Sequence, residues 1–124
     1  MKYLLDTNIV IAAALGSSPT LRARLESCDE GDLVTSAIVL AEALLGSERG
    51  KPPPLPELLL FAEEVPVLPF DRLAAAAYAK LPFERARFDL LIAGHALSLG
   101  LTIITDDERG FSALTGVRVE NWTR

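Results

Sequence analysis

Four carboxylates of this chain lie beside apolar segments. These segments are expected to form strands and helices, which would fix the positions of the acids. Asp6 ends an apolar run, Asp107 follows another, Asp89 precedes a third, and Glu42 is the only charge within residues 37–45. Carboxylates gathered at one place repel one another unless cations lie between them, and Mg²⁺ and Mn²⁺ prefer such oxygen ligands. Two such ions about 4 Å apart can activate a water and stabilise the leaving oxygen in phosphodiester cleavage.

Each of these acids also has a purely structural interpretation. Glu42 lies in a helix that is apolar all round and is expected to be largely buried, so it must be paired, protonated or on a metal, and a buried salt bridge to an arginine is the alternative. Asp89 and Asp6 could be helix N-caps, and a cap can also be a ligand because a carboxylate has two oxygens. Asp106 and Asp107 could be turn residues, an interpretation that we prefer only for Asp106.

The expected elements would bring the acids together. Strands are predicted at Lys2–Leu5, Leu33–Thr35, Leu101–Thr105 and Val117–Trp122, with residues 65–70 at best an edge strand because of Pro66 and Pro69. Helices are predicted at Ile9–Leu15, Pro19–Ser27, Ala37–Leu45, Pro56–Glu64, from Asp71 to about Lys80, and Leu90–Leu99. Ser36, Asp71 and Asp89 are the expected residues at the start of three of them. Gly46 and Gly100 are expected to end the third and the last helix. This alternation of apolar strands and helices is typical of an α/β fold, with a mainly parallel sheet covered on both faces. In such a sheet the strand ends share one edge, where ligands bind.

Composition sets the class of protein. A chain of 124 residues is expected to be a single domain, 1–124. It is 50% hydrophobic with a mean hydropathy of +0.30, yet no apolar run reaches the length of a membrane span, and no signal peptide is evident. The apolar surplus therefore predicts an interface, from oligomerisation or a partner chain. The net charge of −5 argues against a nucleic-acid-coating role but not against an acidic, metal-filled nuclease pocket.

Two other reactive side chains are given structural roles. Cys28 is the only cysteine, so there is no intrachain disulfide or cysteine-rich metal site, which fits a reducing cytoplasm. His95 lies six residues after Asp89, on the other side of a helix, and is expected to be a core or interface histidine.

Four segments in order resemble the PIN-domain nucleases, and most closely the VapC-type toxins of prokaryotic toxin–antitoxin pairs. They are Leu4-Leu5-Asp6-Thr7-Asn8, residues 36–46 with Glu42, residues 89–96, and residues 104–107 with Phe111 and the closing residues 119–122. The loop with Pro52, Pro53 and Pro54 departs from the family pattern and leaves the lengths of the helices around it open.

The resemblance implies a three-layer α/β/α fold and an endoribonuclease that requires Mg²⁺ or Mn²⁺. It implies a catalytic quartet in which Asp6 and Asp89 are the main metal ligands and Glu42 and Asp107 complete the site partly through waters. It also implies hydrolysis of RNA by water to 5′-phosphate and 3′-hydroxyl ends, a homodimer, and a small antitoxin that reaches into the acidic pocket. Contacts of the dimer or the antitoxin are expected on the first two helices. Thr7, Asn8 and Thr105, with Asp106 beside them, would orient carboxylates or waters.

Three arginines flank the acids in sequence and could bind RNA phosphates: Arg85, Arg87 and Arg109. Arginine forks suit phosphate oxygens, although surface solubility would explain the same residues.

Other classes of protein fit less well. A haloacid-dehalogenase-type phosphotransferase needs a second acid two residues after the first, where Asn8 stands, and a receiver domain needs adjacent acids there and a late lysine, whereas no lysine follows Lys80. The non-enzymatic alternative is a catalytically silent acidic module that binds a divalent cation or a partner.

Overall fold

A parallel five-stranded sheet forms the centre of the molecule. The computed structural model describes residues 1–82, 87–111 and 113–124. The strands are β1 (Tyr3–Leu5), β2 (Leu33–Ser36), β3 (Val67–Leu68), β4 (Thr102–Ile104) and β5 (Val119–Glu120), in the order β3-β2-β1-β4-β5. Every described pairing is parallel, which confirms the expected α/β fold.

Helices cover the sheet in the three-layer α/β/α arrangement. They are α1 (Thr7–Leu15), α2 (Pro19–Glu26), α3 (Ala37–Glu48), α4 (Leu55–Glu64), α5 (Arg72–Ala79) and α6 (Phe88–Leu99), with a short 3₁₀ helix at Glu108–Gly110. None of the helices in the described segments is both long and apolar enough to cross a membrane.

The buried core explains the apolar strands. Leu4, Leu5, Ile103 and Ile104 of the two central strands are fully inaccessible to solvent, because helices cover both faces of the sheet. The strand at residues 67–68 lies at the sheet edge, which confirms the reading of its proline-flanked segment.

Several predicted boundaries are wrong. Helix α1 begins at Thr7 rather than Ile9, and α6 begins at Phe88 with Arg87 as its N-cap, so Asp89 lies in the first turn and is not the cap. Gly46 does not end α3, because it keeps a negative φ and the chain turns at Gly50, which has φ +81°.

Helix α3 is also less buried than its sequence indicates. Only Val39 and Ala43 are buried along it, and Leu45 is about half exposed. An apolar surface on this helix therefore faces solvent in the isolated chain.

The register of the strands determines which residues lie together at the carboxyl edge of the sheet. Leu5 of β1 lies opposite Thr35 of β2 and Ile104 of β4, so the residues that follow these three positions emerge together. The Asp6 N–H donates to the Ile104 carbonyl at 2.9 Å, which places Asp6 beside Thr105 at the carboxyl end of the sheet.

Candidate active site

Asp6 is the most deeply enclosed acid of the site. It is the N-cap of α1, and its side chain is about 6% exposed. Its Oδ1 accepts from the Thr7 N–H at 2.8 Å, and its Oδ2 accepts from the Thr105 hydroxyl at 2.7 Å. The cap interpretation of Asp6 is therefore confirmed, and the carboxylate is held in one orientation by both oxygens.

Burial disfavours the charged form of this acid. Desolvation raises the pKa of Asp6 to about 6, although the hydrogen bonds from Thr105 and Thr7 lower it, and the charges of Asp89 and Glu42 raise it further. Asp89 and Glu42 are therefore each close enough to Asp6 to influence its ionisation. A cation at this edge of the sheet would relieve both the desolvation and the repulsion.

Glu42 is half-buried and reaches the site from α3. Its Oε1 accepts from the Thr7 hydroxyl at 2.8 Å, so Thr7 connects Glu42 to Asp6 through its backbone and side chain. Within the described segments Glu42 makes no salt bridge to a lysine or arginine. The structural alternative of a buried arginine pair is therefore not found there.

Asp89 and Asp107 meet across Gly110. A Cβ atom built on Gly110 would lie 2.8 Å from Asp89 Oδ2 and 3.6 Å from Asp107 Oδ2. Any side chain at this position would displace the Asp89 carboxylate. Sequence reasoning did not identify Gly110, and no local signal could have done so, because the constraint comes from another helix.

The surroundings of Asp89 also oppose its ionisation. Burial raises its pKa, the nearby Arg87 guanidinium lowers it, and the charge of Asp107 raises it. Asp89 also lies in the first turn of α6, where the helix dipole favours a carboxylate.

A hydroxyl holds Asp107 in register with the sheet. The backbone N–H of Asp107 donates to Thr105 Oγ1 at 3.1 Å, while the same hydroxyl donates to Asp6. Thr105 is completely buried. It thus positions two acids at once.

Asp106 lies at the exposed margin of the site. It accepts a long hydrogen bond of 3.4 Å from the side-chain amide of Asn8. Its exposure agrees with its interpretation as a turn residue.

The three flanking arginines differ in their surroundings. Arg87 is half-buried at the start of α6, and its Nε is buried without a hydrogen-bond partner among the described atoms. Arg109 lines an open cavity with Asp106 and Asp107. Arg85 lies outside the described residues. Contact of these arginines with RNA stays a prediction.

His95 belongs to the core, as expected. It is buried, its Nδ1 lies 2.7 Å from the Ser36 hydroxyl, and its ring packs edge-on against Phe70. Burial lowers its pKa, opposed by the charge of Asp71.

The donor set fits a hard divalent cation. The side-chain oxygens gathered at this edge come mainly from carboxylates and hydroxyls, and such oxygen ligands suit Mg²⁺ and Mn²⁺. No three acids, histidines or cysteines in the described segments already converge on one ion-sized position. Gly110 lies between Asp89 and Asp107, and Thr7 hydrogen-bonds to both Asp6 and Glu42, so Mg²⁺ at this edge would keep several of its waters.

The bridging role of Thr105 gives a first testable prediction. The Thr105→Val variant keeps the shape of the side chain but removes the hydroxyl that holds Asp6 and Asp107. We expect kcat for the reaction of this site to fall about 10- to 100-fold, the usual effect of losing a group that orients a metal ligand. Steady-state kinetics on the purified variant would measure this loss.

Thr102→Val is the matched control because Thr102 begins β4, whereas Thr105 directly follows the other end of that strand. Its hydroxyl accepts a long hydrogen bond of 3.4 Å from Arg118. Equal effects of the two variants would contradict a positioning role for Thr105.

Comparison with known proteins gives a consistent picture. A family model described as "PIN domain" matches residues 3–117. The chain is 33% identical to the "tRNA(fMet)-specific endonuclease VapC" of Shigella flexneri, with 99% of each chain covered. It is 31% identical to the protein of the same name in Salmonella typhimurium, with 98% of each covered.

Solved structures agree with these relatives. VapBC2 from Rickettsia felis, bound to a DNA fragment from its promoter, superposes with a TM-score of 0.88 at 26% identity, over 98% of this chain and 99% of that one. VapBC-1 from nontypeable Haemophilus influenzae superposes with a TM-score of 0.82 at 30% identity, over 100% of each chain.

Proposed function

The chain belongs to the PIN-domain family, and we propose that it is a metal-dependent endoribonuclease that acts as the toxin of a VapBC-type toxin–antitoxin pair. One observation carries this proposal: in a chain similar from end to end to VapC ribonucleases, four acids lie together beyond the carboxyl edge of the sheet. They are Asp6, Glu42, Asp89 and Asp107.

In this proposal the four acids have two different roles in binding the cation. Asp6 and Asp89 hold the divalent cation directly, and Glu42 and Asp107 complete its environment partly through waters. The cations, Mg²⁺ or Mn²⁺, would polarise the phosphodiester and favour ionisation of the attacking water when bound.

Hydroxyls and amides of the chain keep these acids in place. Thr105 fixes Asp6 and Asp107, Thr7 fixes Asp6 and Glu42, and Asn8 contacts Asp106. Arg85, Arg87 and Arg109 are proposed to bind RNA phosphates, and water attack leaves 5′-phosphate and 3′-hydroxyl ends.

A small antitoxin is the proposed partner. The Rickettsia and Haemophilus structures are named as VapBC assemblies, which supports a partner of this kind. A cavity of about 280 Å³ between α1 and α2, lined mainly by Ala12, Ala13, Leu21 and Leu25, supports docking of the antitoxin there. A basic side chain of the same antitoxin, if it reached the four acids at the sheet edge, would be attracted by their charge.

We further propose a single-domain, cytoplasmic homodimer. The exposed leucines of α4 and α5, namely Leu59, Leu60 and Leu73, supply unpaired apolar surface of the kind that subunit interfaces bury. Light scattering should therefore give twice the chain mass of 13.4 kDa. A monomer at micromolar concentration would contradict the dimer.

A cleavage assay tests the proposed function. Purified protein, shown to be free of antitoxin, is incubated with single-stranded RNA, structured RNA and tRNA(fMet), the RNA for which the Shigella relative is named. We expect cleavage in Mg²⁺ or Mn²⁺ and none in EDTA.

The Glu42→Gln variant makes the assay specific. It keeps the acceptor for the Thr7 hydroxyl but removes the charge, so it should fold and lose activity. Contaminating nuclease would cleave equally in both preparations. If folded, metal-loaded wild-type protein cleaves no RNA, the ribonuclease proposal is wrong and the alternative of a silent cation- or partner-binding module is favoured.

A further inference from the structure

A second cavity of about 350 Å³ opens directly beside the proposed catalytic acids. Thr7, Asn8 and Ile11 of α1 form one wall, and Glu42 lies in the other. The volume falls within the range of sites that hold small organic ligands. A molecule in this cavity would lie against Glu42 and against Thr7, which hydrogen-bonds to both Glu42 and Asp6.

An exposed aromatic ring borders this cavity. Phe88 contributes to its lining and is 45% exposed, although it is a large apolar side chain in the first turn of α6. Its neighbour in sequence is Asp89. Among the described aromatic residues Phe88 has no ring partner. A free ring next to a phosphodiester-cleaving centre is suited to stacking on a nucleobase.

Two cations form the far end of the same cavity. Arg49 and Lys51 both line it and both are exposed. Arg49 follows Glu42 by seven residues, which is two helical turns, so both side chains lie on one side of α3. Arg49 therefore lies two helical turns from Glu42, towards the C-terminal end of α3.

The backbone holds this basic turn firmly. The N–H groups of Lys51 and Arg49 donate to the Gly46 carbonyl at 2.9 Å and 3.1 Å. The Lys51 stem also lies over α3, because a Cβ atom built on Gly46 would be 3.7 Å from Lys51 Cβ. The positions of the two charges thus depend on the same helix that carries Glu42.

Neither cation is neutralised within the segments that the structure describes. The salt bridges found there involve Lys2, Arg22, Arg24 and Arg124, not Arg49 or Lys51. In a chain of net charge −5, two exposed cations that line the same cavity as Glu42 favour an anionic ligand that reaches from them to the acids. An RNA strand has this character, since its phosphates can contact the cations while one phosphodiester lies at the acids.

We propose that this cavity is a nucleotide subsite, in which Phe88 stacks on the base next to the scissile phosphodiester and Arg49 and Lys51 bind the following backbone phosphates. The inference rests on the proposed ribonuclease function and deepens it by naming residues that bind the substrate strand. It assigns RNA binding to a turn that lies 34 or more residues before the arginines flanking Asp89.

The test measures binding and turnover together. Binding of a short, labelled single-stranded RNA is followed by fluorescence anisotropy in EDTA, and kcat and KM are measured with Mg²⁺. Phe88→Ala should weaken binding about tenfold or more, as expected for the loss of one base stack, and Phe88→Trp should restore it.

Salt dependence identifies the phosphate contacts. Each phosphate contact adds about 0.7 to the slope of log affinity against log salt for a single strand, so Arg49→Ala and Lys51→Ala should each lower the slope by about that amount. Arg72→Ala and Leu99→Ala are the matched controls, because Arg72 of α5 and Leu99 at the end of α6 are exposed and neither residue lines the cavity. A general loss of charge or apolar surface would affect the controls equally.

The outcomes separate this inference from the proposed function. If wild-type protein cleaves RNA while Phe88→Ala, Arg49→Ala and Lys51→Ala keep wild-type KM, binding and salt slope, the subsite is wrong and the ribonuclease stands. If wild-type protein neither binds nor cleaves RNA, both are wrong. Tenfold weaker binding with Trp rescue and lowered slopes establishes the subsite.

Discussion

Replacing Asp6 or Asp89 by asparagine is expected to lower kcat for RNA hydrolysis by at least about 10³-fold, because each change removes a charged side chain that we propose as a ligand of the cation that would activate the water. Asparagine is as good an N-cap as aspartate, so α1 should still begin at Thr7 in the Asp6→Asn variant. Asp89 is not a cap, and its substitution removes only a modest interaction with the helix dipole. Steady-state cleavage with Mg²⁺ measures the effect.

Asp29→Asn is the control for the loss of one negative charge, since Asp29 is exposed in the turn before β2. It should keep wild-type kcat. Circular dichroism would show that all three variants are folded. Retention of more than about a tenth of wild-type kcat by folded Asp6→Asn and Asp89→Asn would remove these acids from the catalytic site.

Asp6 should also destabilise the fold of the metal-free protein. The pKa of Asp6 is raised from 3.8 to about 6, so the folded state binds its proton more tightly than the unfolded state does. As the pH rises from about 4 to above 6, the unfolded chain releases this proton first and the free energy of unfolding falls. A shift of this size corresponds to about 3 kcal/mol.

The Asp6→Asn variant isolates this contribution. Without divalent cations, its stability relative to wild type should rise by up to about 3 kcal/mol between pH 4 and pH 7.5, because the buried charge is absent. Urea unfolding at several pH values, with EDTA present, measures the difference. Added Mn²⁺ should stabilise wild type and leave the variant unchanged.

Asp29→Asn again serves as the control, and its difference from wild type should not vary over this pH range. A difference between Asp6→Asn and wild type that is equally independent of pH would contradict the raised pKa of Asp6. A lower stability of the metal-free protein caused by Asp6 would be an example of a trade-off between stability and activity.

The strand-end acids could be found from sequence because their signal is local. Asp6 directly follows an apolar strand, and the parallel register then places it beside Thr105. Glu42 was marked by the absence of any other charge in its helix segment. The apolar, two-sided strands likewise predicted the parallel sheet that the structure has.

Other features depend on contacts between distant residues and had no local signal. Gly46 has the identity of a helix terminator, yet α3 continues through it and the chain turns only at Gly50. The constraint on Gly110 arises from the Asp89 carboxylate of another helix. One side of α3 is exposed because few other elements pack against it. The uniformly apolar sequence of the helix does not indicate this.

Binding of Mn²⁺, followed by the loss of the free-ion signal in electron paramagnetic resonance, tests the central claim most directly. We expect metal-free wild-type protein to bind Mn²⁺, and Asp6→Asn to lose that binding while Asp29→Asn retains it. Such a result would establish that the acids at the sheet edge hold the cation on which the proposed hydrolysis depends. Equal Mn²⁺ binding by wild type and by folded Asp6→Asn, or RNA hydrolysis at full rate in EDTA, would contradict it.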